Sequence, residues 1–196
     1  GLTGPEDDRF SPVLSMDRPW TRGFCKLPTG APRTVPDVPP RPGEMARYPY
    51  MEWAYAYGYS KKYASAGWAS YERHFMCWAE RSGYRVDCAT LHDLETDPEL
   101  LDAYPCIVMV GHDEYWSRNM RDAIDRRIEN GGRVARFAGN FTWQIRIEDE
   151  GRQQVCYKHA YADDPVFGTD EQYLLSTLWE MPLVDWPGAA TFGANA

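Results

Sequence analysis

The residues with the most chemistry to offer stand together at positions 112–116. The apolar run Cys106-Ile107-Val108-Met109-Val110-Gly111 leads straight into His112-Asp113-Glu114-Tyr115-Trp116. Such a run reads as a strand buried on both faces, and in open α/β sheets ligands bind just beyond the carboxyl ends of strands. His112 can serve as a general base or hydrogen-bond donor near neutral pH. Glu114 lies two positions on, so in an extended chain its side chain points to the same side as His112. A carboxylate there can bind a hard metal ion or act as a base. A second apolar run, 133–138, ends in Gly139-Asn140. Asn140 offers a neutral donor to a developing oxyanion. Gly111 and Gly139 each precede the polar residue, at positions where the backbone turns tightly or a ligand approaches closely.

These residues meet only if the two strands are parallel neighbours, and the intervening sequence predicts that they are. Ser117 is a natural N-cap, Met120, Ala123, Ile124 and Ile128 stripe one helical face, and Asn130-Gly131-Gly132 ends the helix. A right-handed crossover then sets His112 and Asn140 at one end of the sheet. Upstream, Trp68, Tyr71, Phe75, Trp78 and Ala79 share a helical face closed by Gly83, residues 84–89 read as a short strand, and Asp97-Pro98 opens a turn carrying Leu100 and Leu101. Downstream, 142–147 and 155–158 flank Glu148-Asp149-Glu150-Gly151 as a hairpin, and 171–179 reads as a helix. Strand and helix alternate, so the expectation is α/β with a parallel, flavodoxin-like sheet.

Ten of the 15 prolines fall in the first fifty residues, with a dense cluster at 35–43, so this region is neither regular helix nor central strand. The aromatic-rich stretch 48–59 reads as a packed loop. We therefore divide the chain at residue 65: an irregular Pro- and Tyr-rich arm or covering insertion over 1–65, and an α/β catalytic domain over 66–196. The chain begins with Gly1 and stops at Asn195-Ala196 without a closing element, so we expect a fragment of something longer.

A net charge of −8 on 196 residues argues against nucleic-acid and anionic-membrane partners. No apolar run approaches the roughly 20 residues of a membrane span, and no signal peptide is visible. The five cysteines (Cys25, Cys77, Cys88, Cys106 and Cys156) include no CxxC pair. They read as reduced thiols in a cytoplasmic protein, with Cys77, Cys88 and Cys106 in buried runs. A serine or cysteine nucleophile and a phosphate loop both lack their motifs. Asp113 reads as a local cap or pair, Tyr115 and Trp116 as core or pocket wall, and Glu95, Asp97, Arg136 and His159 as surface charge or local pairing.

The string Gly111-His112-Asp113-Glu114-Tyr115-Trp116-Ser117, with Gly131-Gly132 and Gly139-Asn140-Phe141-Thr142-Trp143 beyond it, resembles the large subunit of the N,N-dimethylformamidase family. Pro12 to Trp20, Trp78-Ala79-Glu80 and Gly83-Tyr84 share the likeness, which covers most of the chain. The resemblance implies a glutamine-amidotransferase-like α/β domain and an amidohydrolase using mononuclear ferric iron held by two tyrosinates and one glutamate. Glu114 is then the metal ligand, His112 and Asn140 are second-sphere or catalytic residues, and Lys158 is the best match for a catalytic lysine. Tyr48, Tyr50, Tyr55 and Tyr57 are all open as tyrosinate ligands, or both ligands precede Gly1. A further acid implied by the likeness falls beyond Ala196. Hard oxygen donors suit a hard Lewis acid, which polarises an amide carbonyl and acidifies water.

The expected function is hydrolysis of small N-substituted amides such as N,N-dimethylformamide to formate and dimethylamine, within a hetero-oligomer holding a small partner subunit. A zinc hydrolase of the same architecture is one alternative. Another is a non-catalytic or carbohydrate-binding amidotransferase-like module, because fold does not fix function.

Overall fold

The computed structural model describes residues 11–17, 20–32 and 49–194; the proline cluster at 35–43, Tyr48, Arg18-Pro19 and Asn195-Ala196 lie outside them. The chain runs through β1 (Val13–Ser15), α1 (Pro49–Ala56), a π-helical turn (Trp68–Glu72) continuing into α2 (Arg73–Arg81), and α3 (Leu91–Thr96). A 3₁₀ turn (Pro98–Ala103) leads to β2 (Cys106–His112), β3 (Tyr115–Ser117), α4 (Arg118–Glu129), β4 (Arg133–Gly139), β5 (Trp143–Glu148), β6 (Gln153–Val155) and the short α5 (Ala189–Phe192).

The β2–α4–β4 unit forms for local reasons. The Ser117 hydroxyl accepts from the Met120 amide at 3.1 Å and so caps α4. At the other end Gly131 adopts φ +78°, and the Gly131 and Gly132 amides donate to the Ile128 and Arg127 carbonyls at 2.9 and 2.8 Å. A side chain on Gly132 would collide with Arg127, so both glycines are required. β2 and β4 then pair in parallel, from Cys106 against Arg133 to His112 against Gly139. The expected adjacency holds.

The sheet departs from the expectation in two ways. It is mixed and divided: β2 and β4 form one pair, and β1, β6, β5 and β3 form a second sheet in that order. There β3 runs parallel to β5, whereas β5–β6 and β6–β1 are antiparallel. The expected hairpin turns the chain back through Asp149, Glu150 and Gly151, all at positive φ, which makes antiparallel pairing unavoidable. Second, β2 is buried on one face only. Ile107 and Met109 pack on the core with Val134, while Val108 and Phe137 are exposed on the other side, Phe137 at 68%.

The core lies between α4, α3, the 3₁₀ turn and the C-terminal segment, and centres on Trp116, Met120, Ile124, Phe141, Leu175 and Trp179. Arg121, on the buried side of α4, is fully enclosed there. It donates to the Trp186 and Pro187 carbonyls at 2.5 and 2.6 Å and lies over the Trp179 and Trp186 rings. Burial lowers its pKa to about 10, so the guanidinium stays charged at neutral pH.

Other segments correct the sequence reading. The stretch 48–59 holds a helix, α1, started at Pro49 and stopped at Gly58 (φ +68°), with Trp53 stacked against Tyr57 and Tyr59. The helix through 68–79 ends at Gly83 as expected, but its first turn is π-helical, and Trp68, Tyr71 and Trp78 are about half exposed. Residues 84–89 form no strand, and 171–179 contains only a 3₁₀ turn, Gln172–Leu174, before Leu178 bridges to Trp143. Cys88 and Cys106 are exposed and Cys77 half-buried, with Cys156 the enclosed thiol; all five are free.

Candidate functional site

The first part of the site comes from the C-terminal end of β2. His112 Nε2 lies 3.1 Å from Glu114 Oε2, placed to donate in the tautomer that carries the proton there. The other carboxylate oxygen accepts from the Trp143 indole at 2.8 Å. The backbone is fastened too, because the Trp143 amide donates to the Glu114 carbonyl at 2.9 Å. The i, i+2 relation expected of His112 and Glu114 is therefore realised. Asp113 points the opposite way, into the protein, where its carboxylate meets the Arg136 guanidinium. Arg136 also donates to the Ala138 carbonyl at 2.9 Å, so one side chain ties the ends of β2 and β4 together. Its position on β4, two residues from the core-facing Val134, explains why it is half-buried, so that of the two readings, surface charge or local pairing, it is the pairing that the structure shows.

Asn140 stands one residue beyond the register partner of His112, at φ +56°, a left-handed conformation that Asn tolerates better than most residues. Its side chain is exposed at the same end of the sheet pair, with no hydrogen bond among the described residues.

The second part comes from beyond β6. Lys158 Nζ donates to the Tyr115 hydroxyl at 2.5 Å and lies 4.9 and 5.1 Å from the Tyr115 and Trp143 ring centres. Tyr115 and Trp143 are register partners in the β3–β5 pair, so their rings form one floor beneath the ammonium. His159 stands edge-on to Trp143 at 5.1 Å. The Lys158 backbone is held at φ +54°, a conformation costing on the order of 1–3 kcal/mol for a residue other than glycine. It is kept there by its amide bond to the Ser176 carbonyl (2.9 Å) and by the Thr177 hydroxyl, which donates to its carbonyl (2.8 Å). Ser176 is in turn fixed by the fully buried Asp164, whose Oδ2 accepts from the Ser176 amide and hydroxyl and from Arg146 at 2.8 Å.

The structure thus joins His112, Glu114 and Lys158 around Trp143 and sets Asn140 at the same strand ends. Tyr115, read as core or pocket wall, lines this place, and Trp143 is the neighbour that motif reading gave no role. Tyr115 was grouped with Trp116, which is indeed core, but alternation along β3 separates the two faces. Trp143 opens β5, and its place in the site follows only from pairing with β3.

The donor set tests the ferric ion that the resemblance implies. Glu114 is the carboxylate turned into this site, and it fits as one hard-oxygen arm. Tyr50 packs on Tyr63 and Tyr57 on Trp53, in the aromatic cluster around α1. Among the described residues no group of three or more His, Cys, Asp or Glu side chains could hold a metal ion.

A mixed α/β frame with imidazole, carboxylate and ammonium groups gathered at its strand ends is the class that fold and site define. The chain belongs to the N,N-dimethylformamidase beta subunit-like, C-terminal family, which matches residues 3–196. It is similar to the N,N-dimethylformamidase beta subunit of Alcaligenes sp, at 32% identity over 79 residues. That match covers 39% of this chain and 10% of the relative, so the chain spans about a tenth of the length of the curated relative it matches. No helix among the described residues is long and apolar enough to cross a membrane.

Proposed function

We propose that this chain carries part of the active site of a hydrolase acting on small N-substituted amides, N,N-dimethylformamide being the model substrate, within an amidotransferase-like frame. The supporting observation is the convergence of His112–Glu114 with Lys158 on Trp143 in a chain of this family. Water adds to the formyl carbon, the C–N bond breaks, and formate and dimethylamine leave. His112, steadied by Glu114, takes the water proton. The Asn140 amide donates to the carbonyl oxygen as charge develops on it. The Lys158 ammonium gives a proton to the departing nitrogen. Glu114 is also the carboxylate this chain offers to a ferric centre, whose tyrosinate ligands are open among Tyr48, Tyr50, Tyr55 and Tyr57 or precede Gly1. Iron so held supplies Lewis-acid polarisation of the carbonyl. The whole assembly is a cytoplasmic hetero-oligomer with a small partner subunit.

The test is formate release from N,N-dimethylformamide by the full-length protein with its partners, alongside its iron content. Glu114→Ala is expected to lose iron and activity together. Asn140→Ala is expected to keep iron and lose turnover by roughly 10²–10³-fold, the effect of removing one oxyanion donor. An iron-replete wild type that releases no formate contradicts the hydrolase reading, and full iron in Glu114→Ala contradicts the ligand assignment.

A further inference from the structure

We infer that Tyr115 is a positioning residue for Lys158: its hydroxyl holds the lysine amine over the ring of Trp143, the residue whose indole N–H binds Glu114. The inference rests on the hydrolase reading for its catalytic consequence but not for its geometry. Three observations carry it. The Lys158 backbone is fixed by Ser176 and Thr177, yet the four-carbon side chain beyond it has the Tyr115 hydroxyl as its one hydrogen-bond partner among the described residues. A lysine side chain keeps many rotamers unless its end is tied. The Tyr115 ring cannot wander, because β3 pairs with β5 and sets it beside Trp143. Finally, Tyr115 directly follows Glu114 in the chain, so the bond couples the lysine to the carboxylate that Trp143 holds from the other side. Packing alone accounts for the ring but not for the hydroxyl, whose 2.5 Å contact is to the amine.

Tyr115→Phe removes that oxygen and keeps the ring. In the full-length protein we expect kcat for amide hydrolysis to fall roughly 10- to 100-fold with KM within about twofold, the loss of one bond to a charged group that orients a reacting side chain. Lys158→Met is expected to lose more. The double variant is expected to be no worse than Lys158→Met alone, because the two act as a unit. A second readout needs no turnover: the rate of Lys158 acylation by an amine-reactive ester, read by peptide mass spectrometry against the exposed Lys26 and Lys62. Freed from the hydroxyl, Lys158 is expected to react at least about threefold faster in Tyr115→Phe, with the reference lysines unchanged. Unchanged Lys158 labelling overturns the inference, as does a double variant whose losses multiply. Faster labelling in a protein that never hydrolyses amides upholds the tether and refutes only the hydrolase reading. A Lys158→Gln variant in which Tyr115→Phe still lowers kcat also overturns it, since the hydroxyl would then act without the amine.

Discussion

Two buried arginine–aspartate pairs hold the two halves of this site, and they are built to different standards. Asp164 has every nearby donor aimed at it: Arg146, the Ser176 amide and hydroxyl on Oδ2, and the Val166 amide on Oδ1. Asp113 meets Arg136 through Oδ1, but its Oδ2 is buried with no hydrogen-bond partner among the described residues, and so is Arg136 Nε. The carboxyls respond in opposite directions. Burial works to raise Asp164, but the bonds from Arg146 and Ser176 outweigh it and hold the group below the ordinary carboxylate range. At Asp113 burial wins over the attraction of Arg136, and the group is pushed up. The contrast shows that a buried ion pair stabilises only to the extent that its remaining lone pairs and protons are satisfied. The satisfied pair anchors the Lys158 arm. The under-satisfied pair lies directly behind His112 and Glu114, where the backbone must break from β2 into β3.

The largest effect should come from the better pair. Asp164→Asn is expected to cost about 3 kcal/mol or more, because Arg146 and Ser176 lose a charged acceptor in an enclosed place. Denaturant unfolding would measure it, and Lys158-dependent turnover should vanish with it. Asp113→Asn should cost about 1 kcal/mol or less, since the carboxylate it replaces is already poorly accommodated. Equal losses at the two positions would break the comparison.

Acid titration sharpens it. For Asp164 the folded pKa lies below the unfolded value of about 3.9. Its contribution is therefore present above that value and lost as pH falls through the folded pKa. For Asp113 the folded pKa lies above about 3.9, so the folded state takes up the proton first. Its contribution to stability grows as pH falls through the window between the raised value and about 3.9. Stability followed against pH should thus lose its steep acid limb in Asp164→Asn, whereas Asp113→Asn should remove a stabilising rise just above that limb. A variant pair with superimposable pH profiles contradicts the opposed shifts.

A similarly small effect on stability is expected at Arg136→Lys. The charge opposite Asp113 remains, but the fork that also reaches the Ala138 carbonyl is lost. A stability change of about 1 kcal/mol, with a larger fall in kcat than rise in KM, would show that this side chain sets the Asn140 loop and does more than neutralise Asp113.

Much of the frame was legible because its causes are local. The Ser117 cap, the Gly131-Gly132 stop and the parallel β2–β4 pairing follow from short-range chemistry, and they bring His112 and Asn140 to one end. Pro49 and Gly58 were equally local marks of α1, obscured by the aromatic load between them. The division of the sheet was not legible, since β3 is three residues long and its partner is fixed by the fold. The Lys158–Tyr115 bond spans 43 residues of chain, and no periodicity announces such a contact. Arg136 was readable in principle: alternation from Val134 places it on the core-facing side, where a charge demands a partner.

The central claim is that the β2 arm and the Lys158 arm form one site, and kinetics of His112→Ala, Lys158→Met and the double variant in the full-length protein test it most directly. If the two residues serve one transition state across Trp143, each single variant loses most of the activity and the double loses no more than about threefold beyond the worse single. Losses that multiply, or either single variant with unchanged kcat, would show that the two arms do not work on the same substrate.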